Sequence, residues 1–558
     1  MPFNSYEFLF IFLPVSVSGF WLVVRIAGGD SAVLWLVLAS VIFYASASWV
    51  GLATLAPFIL IDYLIASVLL RTPESHPKLR SVAFALGIFC NVAFLGYFKY
   101  RNFFLDTANS LFQTHLPVAR LLMPLGISFL TFQKIAFLSD VRAGLVQNVR
   151  FLDYLFFTTF FPKSIAGPIV RYSEIVPQLK SIPVRDSPIH ISVGLMLLSI
   201  GLFKKAFVAD QLAPYVSSVF DFGPVTVWDP GTPTLITSWT AVLAYTLELY
   251  LDFSGYSDMA LGLARMFAVR LPMNFNSPFK ARNIVEFWGR WHITLTRFLT
   301  AYIYTPLVLA ITRARLVKRK PVLAGARSGA QAILALIAIP TLITMMISGI
   351  WHGAGWQFVV WGVLHGIYLT FNQVWRLIRP RFWRSSKSYD RIMRPTGVVI
   401  TFCSVMLALV FFRAPSISDA LSILYAMIGG NGLIPDDVHV LRQVGVRVPS
   451  DIERLFLPIT PWVWIGLLLA CVMALPNSLE LLRAYRPAAD FPNDDSEFHK
   501  APTGVPDPAK GWSALRVAIV AGRDGISLNP LTAAVAAVLF LLGVLMLGRG
   551  ETFIYWNF

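Results

Sequence analysis

The sequence predicts an all-α polytopic membrane protein, and two observations carry that prediction. Hydrophobic residues make up 56% of the 558, charged residues only 14%, and the mean hydropathy is +0.66. A soluble domain of that length would expose far more polar surface. Apolar runs matching the hydrocarbon core of a bilayer also recur along the whole chain, about a dozen of them against the ~20 residues that one crossing needs, several short or broken. The chain therefore reads as one membrane domain, residues 1–558, with a polar loop at 486–530 and an aromatic C-terminal tail at 548–558, rather than as several soluble domains. Its formal charge of +16 comes from 46 Lys and Arg against 30 Asp and Glu. In a membrane protein that excess reads as the positive-inside signal and points to no nucleic-acid partner. The three cysteines, Cys90, Cys403 and Cys471, lie in apolar runs and form neither a metal pattern nor a disulfide framework.

Taken in order, the first run, Phe8–Ala27, follows a segment without a basic n-region and precedes no clear small-residue cleavage site, so it is expected to be a retained helix. Spans over 32–49 and 52–70 lead to a short basic loop, 71–80, which marks the cytoplasm. That places the N-terminus outside, although Lys99 and Arg101, after the next span at 82–97, then fall on the wrong side. The run 121–138 contains Pro124 and Gly126, which predict an interrupted helix of the kind that lines cavities. Residues 151–169 are too short a run to cross, closed by Pro162 and Pro168, and read as re-entrant or interfacial. The span 191–208 carries Lys204 and Lys205 near its end, where snorkelling to headgroups is expected.

The pattern changes at 235–259, where Glu248, Asp252 and Asp258 interrupt an aromatic-rich helix; Glu248 and Asp252, four apart, share a face. These acids suit a proton or cation path, a network that holds another buried group, or a helix end in solvent. The network is the favoured reading, because a polar segment follows at once. That segment, 273–307, sets Asn274, Asn276, Lys280, Arg282, Asn283, Glu286, Arg290, His292, Thr294, Thr296 and Arg297 among tryptophans and tyrosines. It suits either an amphipathic helix on the membrane surface or the wall of a cytosol-facing funnel for an anionic cofactor. Taken alone, His292 is more often structural than catalytic.

Basic stretches at 313–327 and 376–394 are both expected in the cytoplasm, so the runs between them form an out-and-back pair with His352 near the turn. An ionisable group in such apolar surroundings needs a partner or a water-filled cavity and is a functional-site candidate by default. The glycines around it, Gly349, Gly353 and Gly355, then Gly362 and Gly366, fit either a cavity or ordinary small-residue helix packing. A strict hairpin would carry His352 to the far side, so broken or tilted helices are expected to keep it deeper. Further runs at 398–412, 462–475 and 531–547 are separated by polar stretches at 429–453 and 486–530, and an aromatic tail, 548–558, follows the last. The sequence contains no internal repeat, phosphate-cradling glycine loop, metal-ligand cluster or serine–histidine elbow.

Several stretches together resemble the membrane-bound O-acyltransferase family, and within it the bacterial branch that contains the membrane subunit of alginate O-acetylation. They are Met123-Pro-Leu-Gly-Ile-Ser-Phe129, Phe160-Phe-Pro-Lys-Ser-Ile-Ala-Gly-Pro-Ile-Val-Arg-Tyr172, Gly201-Leu-Phe-Lys-Lys205, Asp252-Phe-Ser-Gly-Tyr-Ser-Asp-Met-Ala260, Asn274-Phe-Asn-Ser-Pro278, Phe287-Trp-Gly-Arg-Trp-His-Ile-Thr-Leu295, Trp351-His-Gly-Ala354 and Phe553-Ile-Tyr-Trp-Asn-Phe558. The resemblance implies a helical ring around a thin central channel, with His352 as the catalytic histidine and His292 as the second essential one. It implies acetyl-CoA as donor substrate, no bound cofactor or metal, and an inner-membrane enzyme that passes acetyl to a periplasmic SGNH-type partner for O-acetylation of an exopolysaccharide. A lysolipid, peptidoglycan or teichoic-acid acceptor is the alternative, and a proton-coupled transporter using Glu248, Asp252 and His352 a more distant one. Lys280, Arg282 and Arg290 are expected to meet the CoA phosphates, with Glu248, Asp252, Asp258 and Asn276 as the supporting network. The tail is either an aromatic anchor at the interface or a carrier whose Tyr555 hydroxyl accepts the acyl group.

Overall fold

A computed structural model describes residues 1–118, 121, 123–180, 182, 186–221, 233–325, 328–383, 386–433, 459–489 and 525–548. Every regular element among them is helical. Eight are long and apolar enough to cross a membrane. They are α1 (Phe8–Ala27), α2 (Gly29–Ala47), α3 (Trp49–Arg71), α4 (Pro77–Phe112), α7 (Ser187–Ala209), α9 (Ile293–Val317), α10 (Ala330–His352) and α12 (Ser388–Arg413). Between them stand α5 (Ile127–Arg142), the short α6 (Phe151–Thr159), α8 (Leu235–Met266) and α11 (Trp356–Phe382). The shorter apolar helices Ile417–Met427, Pro461–Ala474 and Pro530–Leu545 complete the set. The chain is thus a polytopic helical membrane protein, as its composition predicts.

The helix α8 is the axis of the fold. Every residue from Ala244 to Met266 is buried, so its acids and Arg265 face protein and not lipid. It packs most extensively against α7. Glycines seven apart on each helix make the approach close. A β-carbon on Gly201 would stand 2.5 Å from the Gly255 carbonyl oxygen, and one on Gly194 would stand 2.6 Å from that of Gly262. In a bilayer, where apolar side chains gain little by leaving lipid for protein, such backbone-to-backbone packing is a principal source of helix affinity. Gly201→Leu is expected to destabilise the membrane domain by about 2 kcal/mol or more through overpacking. The check is its melting temperature in detergent, which an equally apolar change on a lipid-facing residue such as Leu22 should leave in place.

The run 121–138 is not one interrupted helix: its described residues before Ile127 are non-helical, and α5 starts only after Gly126, whose φ of +70° is a conformation that L-residues with side chains rarely adopt. The re-entrant reading of 151–169 fits, since α6 is nine residues long, a 3₁₀ turn follows at Phe161–Lys163, and residues 156–170 are all buried. Two further expectations are corrected. Lys204 and Lys205 do not reach headgroups: Lys205 is buried and pairs with Asp252 at 2.7 Å and Asp210 at 2.6 Å, while Lys204 pairs with Asp258 at 2.7 Å. A lysine this far inside is tolerated because its carboxylates compensate the lost hydration. Residues 273–307 do not form one surface helix either. They break into short helices at Pro278–Lys280, Ile284–Trp288 and Ile293–Leu299, and Asn274, Trp288, Trp291 and His292 are buried. The chain then continues from Ile293 into α9, a span whose first half overlaps the polar segment.

Candidate active site

His292 and His352 lie 60 residues apart in the chain, and the fold brings their rings to 6.4 Å between centroids. Both are buried, His292 fully and His352 at 3% exposure. Their surroundings are aromatic. His292 packs edge-on against Phe253 of α8, and His352 packs edge-on against Trp361 of α11 and Phe412 of α12.

The position of His292 comes from a short paired stretch of backbone. Asn276 N–H donates to the Arg290 carbonyl at 2.9 Å, and Ile293 N–H donates to that of Asn274 at 3.0 Å. His292 sits just before the helix Ile293–Leu299 at φ +43°, ψ +51°, a left-handed conformation that costs a non-glycine residue roughly 1–2 kcal/mol. Such strain persists where the surroundings over-determine it, and here Asn274 does so. Its Oδ1 accepts from Thr294 Oγ1 at 2.9 Å and lies 3.1 Å from His292 Nδ1, while its Nδ2 faces Ser257 Oγ at 3.4 Å. With Oδ1 as acceptor, Nδ1 carries the imidazole proton and Nε2 is the basic nitrogen. Thr294 Oγ1 also accepts the backbone N–H of Ile169, tying the re-entrant segment to the same loop at 3.0 Å.

His352 is the last residue of α10, and Gly353 continues in extended conformation. The glycines near it serve packing. A side chain on Gly349 would strike the Phe358 carbonyl, one on Gly353 the Phe358 ring, and one on Gly362 the Met345 carbonyl. The cavity reading of these glycines is therefore corrected: they let α10 and α11 close against each other. A cavity of about 260 Å³ does exist, on the other side of the helix end. Lys99, Met123, Pro124, Ser128, Ile165, Trp351 and His352 are among its lining residues, so the non-helical stretch before α5 supplies much of its wall. An exposed acyl carbonyl held there would meet an imidazole across a largely apolar surface.

Of the acids named from the sequence, Asp252 and Asp258 hold Lys205 and Lys204, and Ser478 Oγ donates to Asp258 at 2.8 Å. Glu248 is buried one turn earlier on α8, within electrostatic reach of Arg413, which pairs with Asp221 at 2.7 Å. The network reading suits them, with two lysines as the groups they hold; the residue that orients His292 is Asn274. Asn276 Oδ1 accepts from Asn477 Nδ2 at 3.0 Å, fastening the loop from its far side. Among the basic residues, Arg290 pairs with Glu286 at 2.9 Å and Lys280 donates to the Leu475 carbonyl at 2.6 Å. Arg282 is partly exposed, and its backbone N–H donates to Glu286 Oε2 at 3.0 Å. Among the described residues no group of three metal-ligating side chains occurs. Tyr555 and the tail 549–558 lie outside the described residues.

Three residues absent from the sequence-based site belong beside it. Lys99 and Tyr100 of α4 donate to the carbonyls that end α10. His365, buried on α11, accepts from Trp288 Nε1 at 3.3 Å, and its ring lies 4.8 Å from that of Trp361. For Lys99 the sequence did hold a signal, since it fell on the wrong side of the charge rule.

Residues 91–320 match the model of the membrane-bound O-acyltransferase family. The chain is 38% identical over 464 residues to a peptidoglycan O-acetyltransferase of Helicobacter pylori, covering 77% of this chain and 80% of that protein. The chain belongs to the membrane-bound O-acyltransferase family. It is also 32% identical over 460 residues to a probable alginate O-acetylase of Azotobacter vinelandii, covering 81% of this chain and 82% of the other. A teichoic acid D-alanyltransferase of Streptococcus thermophilus is 27% identical over 301 residues, covering 52% of this chain and 68% of that protein. The expectation of a multi-pass O-acyltransferase thus holds, and the transporter reading falls away. His292 lies within the family match; His352 lies beyond its end.

Proposed function

We propose that this O-acyltransferase takes acetyl from cytosolic acetyl-CoA and delivers it across a bacterial inner membrane for O-acetylation of a polysaccharide, with an SGNH-type periplasmic partner completing the transfer. The observation that carries the reading is the convergence of two buried histidines, one of which, His352, lines a small, largely apolar cavity, in a chain similar to two kinds of polysaccharide O-acetylating protein. In this reading His352 accepts the proton of the attacking hydroxyl, the oxygen adds to the thioester carbonyl, and the tetrahedral intermediate collapses with loss of the CoA thiolate. The imidazolium returns its proton to that leaving sulfur, so His352 ends neutral. His292, with Nε2 basic and its ring fixed by Asn274, positions the reacting groups. Arg282 is the donor-phosphate candidate of the three basic residues that is least committed to other contacts, and Lys280 and Arg290 border the same segment.

The acceptor class has two readings. An alginate-like exopolysaccharide is the first; peptidoglycan is the second, favoured by the 38% identity to a peptidoglycan O-acetyltransferase. A deletion strain separates them: ester-linked acetate is measured on purified muropeptides and on exported polysaccharide, and loss from one fraction assigns the acceptor. Unchanged acetate in both would overturn the reading.

The aromatic tail extends this function. We take Tyr555 as an acyl carrier, because in its acetyl ester the phenoxide is a good leaving group: a partner serine adds to the acetyl carbonyl, the bond to the Tyr555 oxygen breaks, and the phenol is regenerated with the serine's proton. Tyr555→Phe keeps the ring and removes only the nucleophile, so polysaccharide acetate is expected to fall to background with protein abundance unchanged. Full acetylation by Tyr555→Phe would make the tail an interfacial anchor.

A further inference from the structure

Lys99 carries an ionisable amine, is partly buried in an apolar helix, and has no part in the reaction as drawn above. A lysine inside a membrane helix is costly unless protein groups replace its hydration. Its ammonium donates to the Trp351 carbonyl at 2.5 Å and the His352 carbonyl at 3.1 Å, with Ser128 Oγ at 3.5 Å. The neighbouring Tyr100 hydroxyl donates to the Ile350 carbonyl at 2.7 Å. Three successive carbonyls at the end of α10 are thus bonded from another helix.

They need those donors. The last carbonyls of a helix have no partner within it, and the usual solution is a left-handed residue that folds the next N–H groups back onto them. Gly353, at φ −157°, continues extended, so α10 has no such closure. A cation at this end also meets the negative pole of the helix dipole. On its own helix Lys99 lies in a π turn, Gly96–Tyr100, a widened turn that often marks a functional site. Lys99 and His352 border the same cavity, and Trp351, whose carbonyl Lys99 holds, stacks on Phe132 at 5.0 Å and donates through Nε1 to the Ser128 carbonyl at 3.3 Å. The indole and the backbone of the residue before His352 are therefore both anchored to the cavity wall.

We propose that Lys99 is a positioning residue that caps the helix ending at His352 and so fixes the imidazole at the cavity. The inference rests on the reading of His352 as the base. Without the cap the last turn of α10 frays and the imidazole leaves its attack geometry, although the donor-phosphate candidates Lys280, Arg282 and Arg290 are untouched.

The test compares wild type, Lys99→Met, Lys99→Gln and His352→Ala in detergent. Two quantities are read: turnover of acetyl-CoA with its KM, and the rate at which diethyl pyrocarbonate modifies the peptide that contains residue 352. Lys99→Met is expected to lower kcat about 100-fold, the loss that an ångström-scale misplacement produces, with KM within about twofold of wild type. Carbethoxylation of His352 should be roughly tenfold faster, reporting local opening. Lys99→Gln keeps an N–H donor and should recover part of both. Unchanged kcat in Lys99→Met, or lost kcat with wild-type modification kinetics, overturns the cap. If the methionine variant does not accumulate, the glutamine variant decides by the same two readings. Full activity in His352→Ala would instead remove the base assignment, and the modification rates would still report on the cap.

Discussion

His352→Ala is expected to abolish acetyl transfer, with a fall in turnover of about 10³-fold or more, the upper part of what a positioned general base contributes. The imidazole packs edge-on against Trp351, Trp361 and Phe412. Truncation leaves a cavity in that aromatic cluster, so a stability loss has to be separated from a chemical one. His352→Gln does this. It roughly keeps the volume and removes the titrating base, and should be as inactive as alanine while melting near wild type. The measurement is transfer of labelled acetate from acetyl-CoA in membranes, normalised to protein abundance. Wild-type transfer by either variant at normal abundance would take His352 out of the reaction.

His292→Ala is expected to cost about 10²-fold or more in transfer, and the structure says why the effect should spread to a neighbour. Asn274 Oδ1 serves His292 Nδ1, the Thr294 hydroxyl and, at 3.3 Å, the Thr294 backbone N–H. Asn274→Leu removes that acceptor, releases the imidazole tautomer and leaves buried donors unsatisfied, at about 1–3 kcal/mol for each. It should reproduce most of the His292→Ala defect although it carries no titrating group. Acetyl-CoA binding, measured beside turnover, separates the roles of His292. Weakened or misdirected binding fits positioning; intact binding with lost transfer would move His292 into the chemistry itself.

The positions of these groups were legible from the sequence to different degrees. His352 stood out because an ionisable side chain in a long apolar run is rare, and rarity is a local property. His292 was visible only as one polar residue among many in 273–307, and its burial was not, because polar composition over 35 residues suits a surface helix as well as a folded-in loop. The ion pairs of Asp252 and Asp258 suit the network reading of the α8 acids, but their partners were not legible, since Lys204 and Asp258 are 54 residues apart and no periodicity links them. The glycines between 349 and 366 fitted a cavity and a packing face equally well, and the carbonyls of Phe358 and Met345 decide for packing.

By itself the sequence determined the class of structure. A bilayer demands runs of a set length whose backbone bonds are satisfied within each segment, so composition and run length suffice to predict helices and their approximate bounds. It also marked where helix α5 cannot extend backward, at Pro124 and Gly126, because those residues act through their own backbone. Only the tertiary structure decided which polar groups meet. The Asn274 clasp on His292, the Lys205 pairing with Asp252 and the Lys99 bonds to the end of α10 join segments 18, 47 and about 250 residues apart. Contacts at such separations depend on how whole helices pack, and a buried charge accepts whichever partner that packing brings within reach.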